Sequence, residues 1–278
     1  MNELKFPYVL VAERSVLPLI GQVLQGIQAY GNPESISIVV PSAQFDDFKI
    51  TARCGARVIG EDEVLAGWSL ARVKAALPNQ PHRAGWYLQQ FLKLSFGSYA
   101  GIPQYVVWDA DTVMLSCVKF TENGLTVFNT AREHHREYYE TFERLFGRAA
   151  PLRRSLVSQY MLIETQIVQE MRCAIESRFG KDWITAILSV LPGTSESEFS
   201  EYVTYANFLA DRYPDRLKLS RTKWFRYGSE IIQDPACEDF DTVRERFSGY
   251  AYVAFERHPT SLLKRLWGNG SLLLRRSS

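Results

Sequence analysis

The chain has 278 residues, 46% of them hydrophobic and 23% charged, which is ordinary for a soluble globular protein that builds a full core. Lys and Arg number 32 against 31 Asp and Glu, and this balance excludes a broad phosphate-neutralising surface, so no nucleic-acid partner is expected. Four scattered cysteines without C-x-x-C spacing speak for reduced thiols, and the absence of a signal-like run or of about eighteen consecutive apolar residues predicts a cytoplasmic protein.

Phe6 to Ala12 reads as a short buried strand. Leu17, Ile20, Val23, Leu24 and Ile27 then recur at helical spacing until Tyr30, Gly31 and Asn32. Ser35 to Pro41 is a second strand, rich in β-branched residues, and Arg57 to Ile59 a short third. Strand, helix and strand at this spacing open a parallel α/β sheet. Ala84 to Phe96 is a helix that Gly97 is expected to stop, followed by the apolar strand Tyr105 to Trp108. Helical patterns dominate the second half, over Glu133 to Phe146, Gln166 to Phe179, Trp183 to Leu191 and Phe199 to Asp211, before a late strand at Tyr250 to Phe255. The expected organisation is one domain over 1–260, in halves 1–115 and 116–260, with a tail over 261–278.

The apolar strand leads directly into Asp109 and Asp111. In extended geometry residues i and i+2 point the same way, so two carboxylates converge where open α/β sheets bind ligands, at the carboxyl ends of strands. Converging carboxylates repel unless a cation lies between them, and Mg²⁺ or Mn²⁺ suits oxygen donors while keeping positions open for substrate phosphates. The alternative is a turn in which both Asp residues bond backbone N–H groups. DADTV also fits the D-x-D-x-[TV] string of haloacid-dehalogenase-type phosphatases, where the first Asp is the nucleophile. That string normally lies near the start of its domain, whereas about a hundred residues precede it here, and no later G-D-x-x-x-D-like cluster follows.

Four blocks in order, RAGWYLQQFLKL (83–94), WDADTVML (108–115), SLVSQYMLI (155–163) and FSEYVTYANFL (199–209), resemble a family of small bacterial glycosyltransferases associated with surface polysaccharides, long described only as a domain of unknown function. The resemblance runs from about Phe6 to about His258. It implies a GT-A-like, Rossmann-type α/β sandwich with a mixed, mostly parallel sheet and a helix-rich second half. It also implies a sugar nucleotide as donor, with UDP-sugar the expected one. The first half would bind the nucleotide and the second the acceptor. The two other function classes kept open are the phosphatase and a glycan-binding relative without catalysis.

By the same resemblance Asp111 would ligate the metal directly, Asp109 would touch the ribose or the metal's water shell, and His258 would complete the site. Arg83 has a fork suited to a donor phosphate or sugar hydroxyl, Gln89 and Gln90 offer amides, and Trp86 or Tyr87 offers a ring for stacking. Lys93 is expected on a solvated helix face. Glu198 and Glu201 share a helix face. Glu201 is the expected base for the acceptor hydroxyl in an inverting transferase, or a donor-sugar contact in a retaining one, while two exposed acids at a helix start also suit its dipole. Ser158 and Gln159 either line the donor or acceptor pocket or are ordinary polar positions. The nucleotide base would sit near Ala12, Glu13 and Arg14. The tail, basic and apolar by turns, is expected either to pack on the domain or to rest on the inner face of a membrane beside a lipid-linked glycan acceptor.

Overall fold

The computed structural model describes residues 4–256. The first strand, β1 (Phe6–Val11), leads to helix α1 (Leu17–Tyr30) and β2 (Pro33–Val40); the single-turn α2 (Phe45–Phe48) precedes β3 (Ala56–Gly60). Helices α3 (Glu61–Val64), α4 (Leu70–Ala76) and α5 (Ala84–Ala100) follow, then β4 (Gln104–Trp108) and β5 (Thr112–Met114). The second half runs β6 (Thr121–Glu122), β7 (Leu125–Asn129), α6 (Arg136–Phe146), β8 (Tyr160–Glu164), α7 (Thr165–Phe179), α8 (Trp183–Val190), α9 (Glu201–Arg212), β9 (Leu217–Ser220), α10 (Phe240–Arg246) and β10 (Tyr252–Ala254).

The main sheet has the order β3-β2-β1-β4-β8; the first four strands are parallel and β8 is antiparallel to β4. Side chains alternate across it, as strand geometry requires. Val9, Val107 and Ile163 enter one core with α5, α7, α8 and α9. Tyr8, Leu10, Val106, Trp108 and Leu162 enter the other with α1, α10 and the small β5–β10 sheet. A third sheet, β6-β7-β9, stands beside them. The fold is therefore the expected α/β sandwich with a mixed, mostly parallel sheet and a helix-rich second half.

Two expectations need correction. Helix α5 does not stop at Gly97 but runs on to Ala100, where Gly101 closes it with φ 66°. Gly97 is there for packing: a Cβ would lie 2.1 Å from Thr165 Oγ1 and 2.5 Å from Tyr105 Cε1. The second half is also richer in strands than its helical patterns predict, since β7, β8 and β9 all lie within it. All four cysteines are free and exposed. Among the described residues no helix is long and apolar enough to cross a membrane.

Candidate functional site

After β1 the chain passes outward to β2 and β3, and it returns on the other side of β1 as β4. The strand order thus reverses between the carboxyl ends of β1 and β4, the place where doubly wound sheets bind ligands. On the β1 side Arg14 donates to Asp47 Oδ2 through Nε at 2.8 Å and through its backbone N–H to Gln44 Oε1 at 2.6 Å. On the β4 side stand Asp109 and Asp111.

The turn carrying the two acids is fixed from three directions. Trp108 Nε1 donates to the Thr112 carbonyl at 2.7 Å, and Thr112 N–H to the Asp109 carbonyl at 3.0 Å. Asp109 N–H donates to the Gln159 carbonyl at 2.8 Å, with Gln159 in the left-handed region at φ 70°. Phe255 N–H donates to the Asp111 carbonyl at 2.8 Å, tying the turn to the end of β10. The backbone bonds of the turn are thus made by carbonyls and the Trp108 indole, which leaves both carboxyl groups to other work.

Lys93 meets one of them. It lies on α5 with Gln90 and Gly97 on the same helix face, and it is only 4% exposed. Its ammonium donates to Asp109 Oδ1 at 2.6 Å and to Glu201 Oε1 at 2.7 Å. Burial by itself would lower the Lys93 pKa, but the two carboxylates outweigh burial and hold it above its ordinary value. Tyr202, the next residue on α9, donates its hydroxyl to the same Asp109 Oδ1 at 2.8 Å. Gln90 Oε1 accepts the Glu201 N–H at 2.9 Å, and Ser200 caps α9 through Val203 N–H. Lys93 is thus a buried cation and not a solvated one. Glu201 is likewise buried, with 4% exposure, and burial raises its carboxyl above the ordinary value although Lys93 opposes the rise.

Asp111 makes no ion pair among the described residues, and its Oδ1 accepts from Thr112 Oγ1 at 3.3 Å. Its carboxyl is pushed up to about 7, first by burial and then by Asp109 and Glu256 nearby. Glu256 in turn accepts from Gln159 Nε2 at 2.7 Å and from Arg226 Nε at 3.0 Å. Arg226 also pairs with Glu133, whose other oxygen meets His135 Nε2 at 2.6 Å. Among the described residues five carboxylates (Asp109, Asp111, Glu133, Glu201 and Glu256) are thus gathered around two cations, Lys93 and Arg226, which leaves a negative excess.

That excess fits a divalent cation. Among the described residues no three His, Cys, Asp or Glu side chains form a ready metal cage. Mg²⁺ and Mn²⁺ sites commonly use one or two carboxylates and complete the shell with water and substrate phosphate, and the Asp109–Asp111 pair meets that requirement.

The remaining expected residues fall into two groups. Arg83 stacks on the Trp86 ring at 4.1 Å and pairs with Glu196 at 3.5 Å. Trp86 and Gln89 are half-buried, while Tyr87 is fully buried and belongs to the core. Gln90 holds α9 through Glu201, and Gln159 holds the acidic turn. Ser158 is buried, its carbonyl accepting from Tyr252 Oη at 2.9 Å, and serves the entry to β8. Glu198 is buried too and accepts from the N–H groups of Gly193, Thr194 and Ser195, so it organises the loop before α9. His258 and the tail over 261–278 lie outside the described residues. The lone charge of Lys93 within the apolar run FLKLSF is a signal of burial that the expected solvated face passed over, and Tyr202, Arg226, Glu133 and Glu256 carried no spacing that links them to the acidic pair.

Sheet and site together define an α/β protein with an anchored acidic pair at the switch point of its strand order. The chain matches the family described as a family of unknown function (DUF6492) over residues 20–227, and it belongs to that family. No curated protein matches it. Solved structures aligned with it include the glycosyltransferase GlyE of Streptococcus pneumoniae TIGR4, 12% identical with a TM-score of 0.41 over 97% of this chain and 61% of that one. The apo form of GlyE gives 11% and 0.42 with the same coverage, so this chain spans about three-fifths of the length of the GlyE structures. Mouse xyloside xylosyltransferase 1, in its apo form, is 13% identical with a TM-score of 0.43 over 91% of this chain and 98% of that one.

Proposed function

We propose that the chain is a metal-dependent glycosyltransferase of GT-A type that moves a sugar from a nucleoside diphosphate, a uridine one, to a surface-glycan acceptor. The observation that carries this reading is the acidic pair at the β1/β4 switch point, with Asp109 anchored by Lys93 and Tyr202 and Asp111 beside it in no ion pair among the described residues. Asp109 and Asp111 would hold Mn²⁺ or Mg²⁺, and the ion would neutralise the departing diphosphate. The β1-end loop at Glu13 and Arg14 would receive the nucleoside. Arg83, over the Trp86 ring at the start of α5, has a fork suited to phosphate or sugar oxygens.

The phosphatase reading asks Asp109 to attack phosphorus. Here one of its oxygens already accepts from Lys93 and Tyr202, and the strand that delivers it is the fourth in the chain. Transfer is therefore favoured. The test is calorimetric titration of UDP with Mn²⁺ and then with EDTA. We expect binding that needs the metal and is lost in Asp111→Ala. Metal-independent binding, or none, removes the reading, and release of phosphate from an aryl phosphate would replace it with the phosphatase.

A further inference from the structure

The buried charge triad assigns Glu201 a role other than proton acceptor. Resting on the transferase reading, we infer that Glu201 is a positioning residue: it is the counterweight of Lys93, and it leaves Asp109 with unspent negative charge and one open oxygen for the divalent cation.

The argument begins with the charge count. A buried ammonium paired with Asp109 alone would neutralise it, and a neutralised carboxylate is a weak cation ligand. Lys93 instead divides its contacts between Asp109 Oδ1 at 2.6 Å and Glu201 Oε1 at 2.7 Å. The three groups together carry a net charge of −1, which a cation in the crevice can use. Stereochemistry adds a second point. Lys93 and Tyr202 both donate to Oδ1, so Oδ2 is the Asp109 oxygen left for a metal. One turn of α9 supplies both controls, since Glu201 sets the charge and Tyr202 the orientation. Finally, Glu201 is enclosed. It is 4% exposed, its Oε1 accepts from Lys93 and its backbone N–H donates to Gln90, so the carboxylate is held in the interior, away from an entering acceptor hydroxyl.

The experiment measures Mn²⁺ affinity of the full chain by electron paramagnetic resonance, with and without UDP and with no sugar donor, alongside thermal unfolding of each variant. Glu201→Gln cancels the triad's net charge, and we expect its Mn²⁺ affinity to fall about ten-fold or more. Combining Lys93→Met with Glu201→Gln restores the net −1, and this double variant is expected to recover most of the loss. It also serves where Glu201→Gln alone fails to fold, because it replaces a buried ammonium that has lost one of its two carboxylates with an apolar side chain. Two outcomes overturn the inference: a folded Glu201→Gln with wild-type Mn²⁺ affinity, or a double variant no better than the single one. A wild-type chain that binds no Mn²⁺ under either condition overturns the transferase reading itself, and that failure is distinct from the other two.

Discussion

Asp111 pays for its place in the cleft with its own ionisation. Its carboxyl is held at about 7 in the fold, against about 4 in an unfolded chain. A raised acid contributes its stability in the protonated form, which is fully present below pH ~4 and lost as the pH climbs through about 7. Asparagine has no proton to lose. The stability of Asp111→Asn relative to wild type should therefore rise between pH 4 and pH 7 and level off above it, by about 2–4 kcal/mol before solvent screening is discounted. Urea unfolding of both proteins across that range in EDTA reads the difference. Adding Mn²⁺ at pH 7.5 should close the gap by stabilising wild type alone, and a gap unchanged by the metal would count against Asp111 as a ligand.

Helix α5 shows how an element carries a site that local sequence does not announce. Gln90, Lys93 and Gly97 share one face, and Gly97 lets the helix settle against Thr165 and Tyr105 so closely that no Cβ fits. Gly97→Ala should push α5 off β4 and carry Lys93 away from Asp109, one turn below. We expect a loss of about 1–3 kcal/mol in thermal or urea unfolding together with weakened Mn²⁺ binding. A destabilised variant with unchanged Mn²⁺ affinity would show that the spacing matters only for packing. The parallel half was legible because β1, β2 and β4 are buried, β-branched or aromatic runs bounded by turn residues. In the second half β8 (YMLIE) is buried throughout and shows no alternation, and β9 (LKLS) is four residues long. The acidic pair could be found from its place after β4. Its anchors could not, since Lys93 and Glu201 lie 108 positions apart and meet only in three dimensions.

For the whole molecule, the crevice draws on nearly every part of the chain. Arg14 stands near one end, Lys93 and Asp109 come from the middle, and Tyr202, Arg226 and Glu256 come from the last described segments. A ligand that binds only this assembled arrangement stabilises all of it together. UDP with Mn²⁺ should therefore raise the unfolding temperature as one cooperative transition, by about 2–4 °C for each kcal/mol of linkage in a chain of this size. Differential scanning calorimetry reads this directly, and a split transition in which only one part shifts would contradict it.

The pairing of β10 with β5 and the bond from Phe255 N–H to the Asp111 carbonyl have a consequence for the time at which the protein becomes competent. A ribosome releases Asp111 long before it makes Phe255, so the nascent chain holds the acids without the strap that fixes their turn. Glu201 and Tyr202 also arrive late. Throughout most of its synthesis the growing polypeptide thus carries an unfinished acidic turn, which is complete only when the last described strand clips onto the fifth.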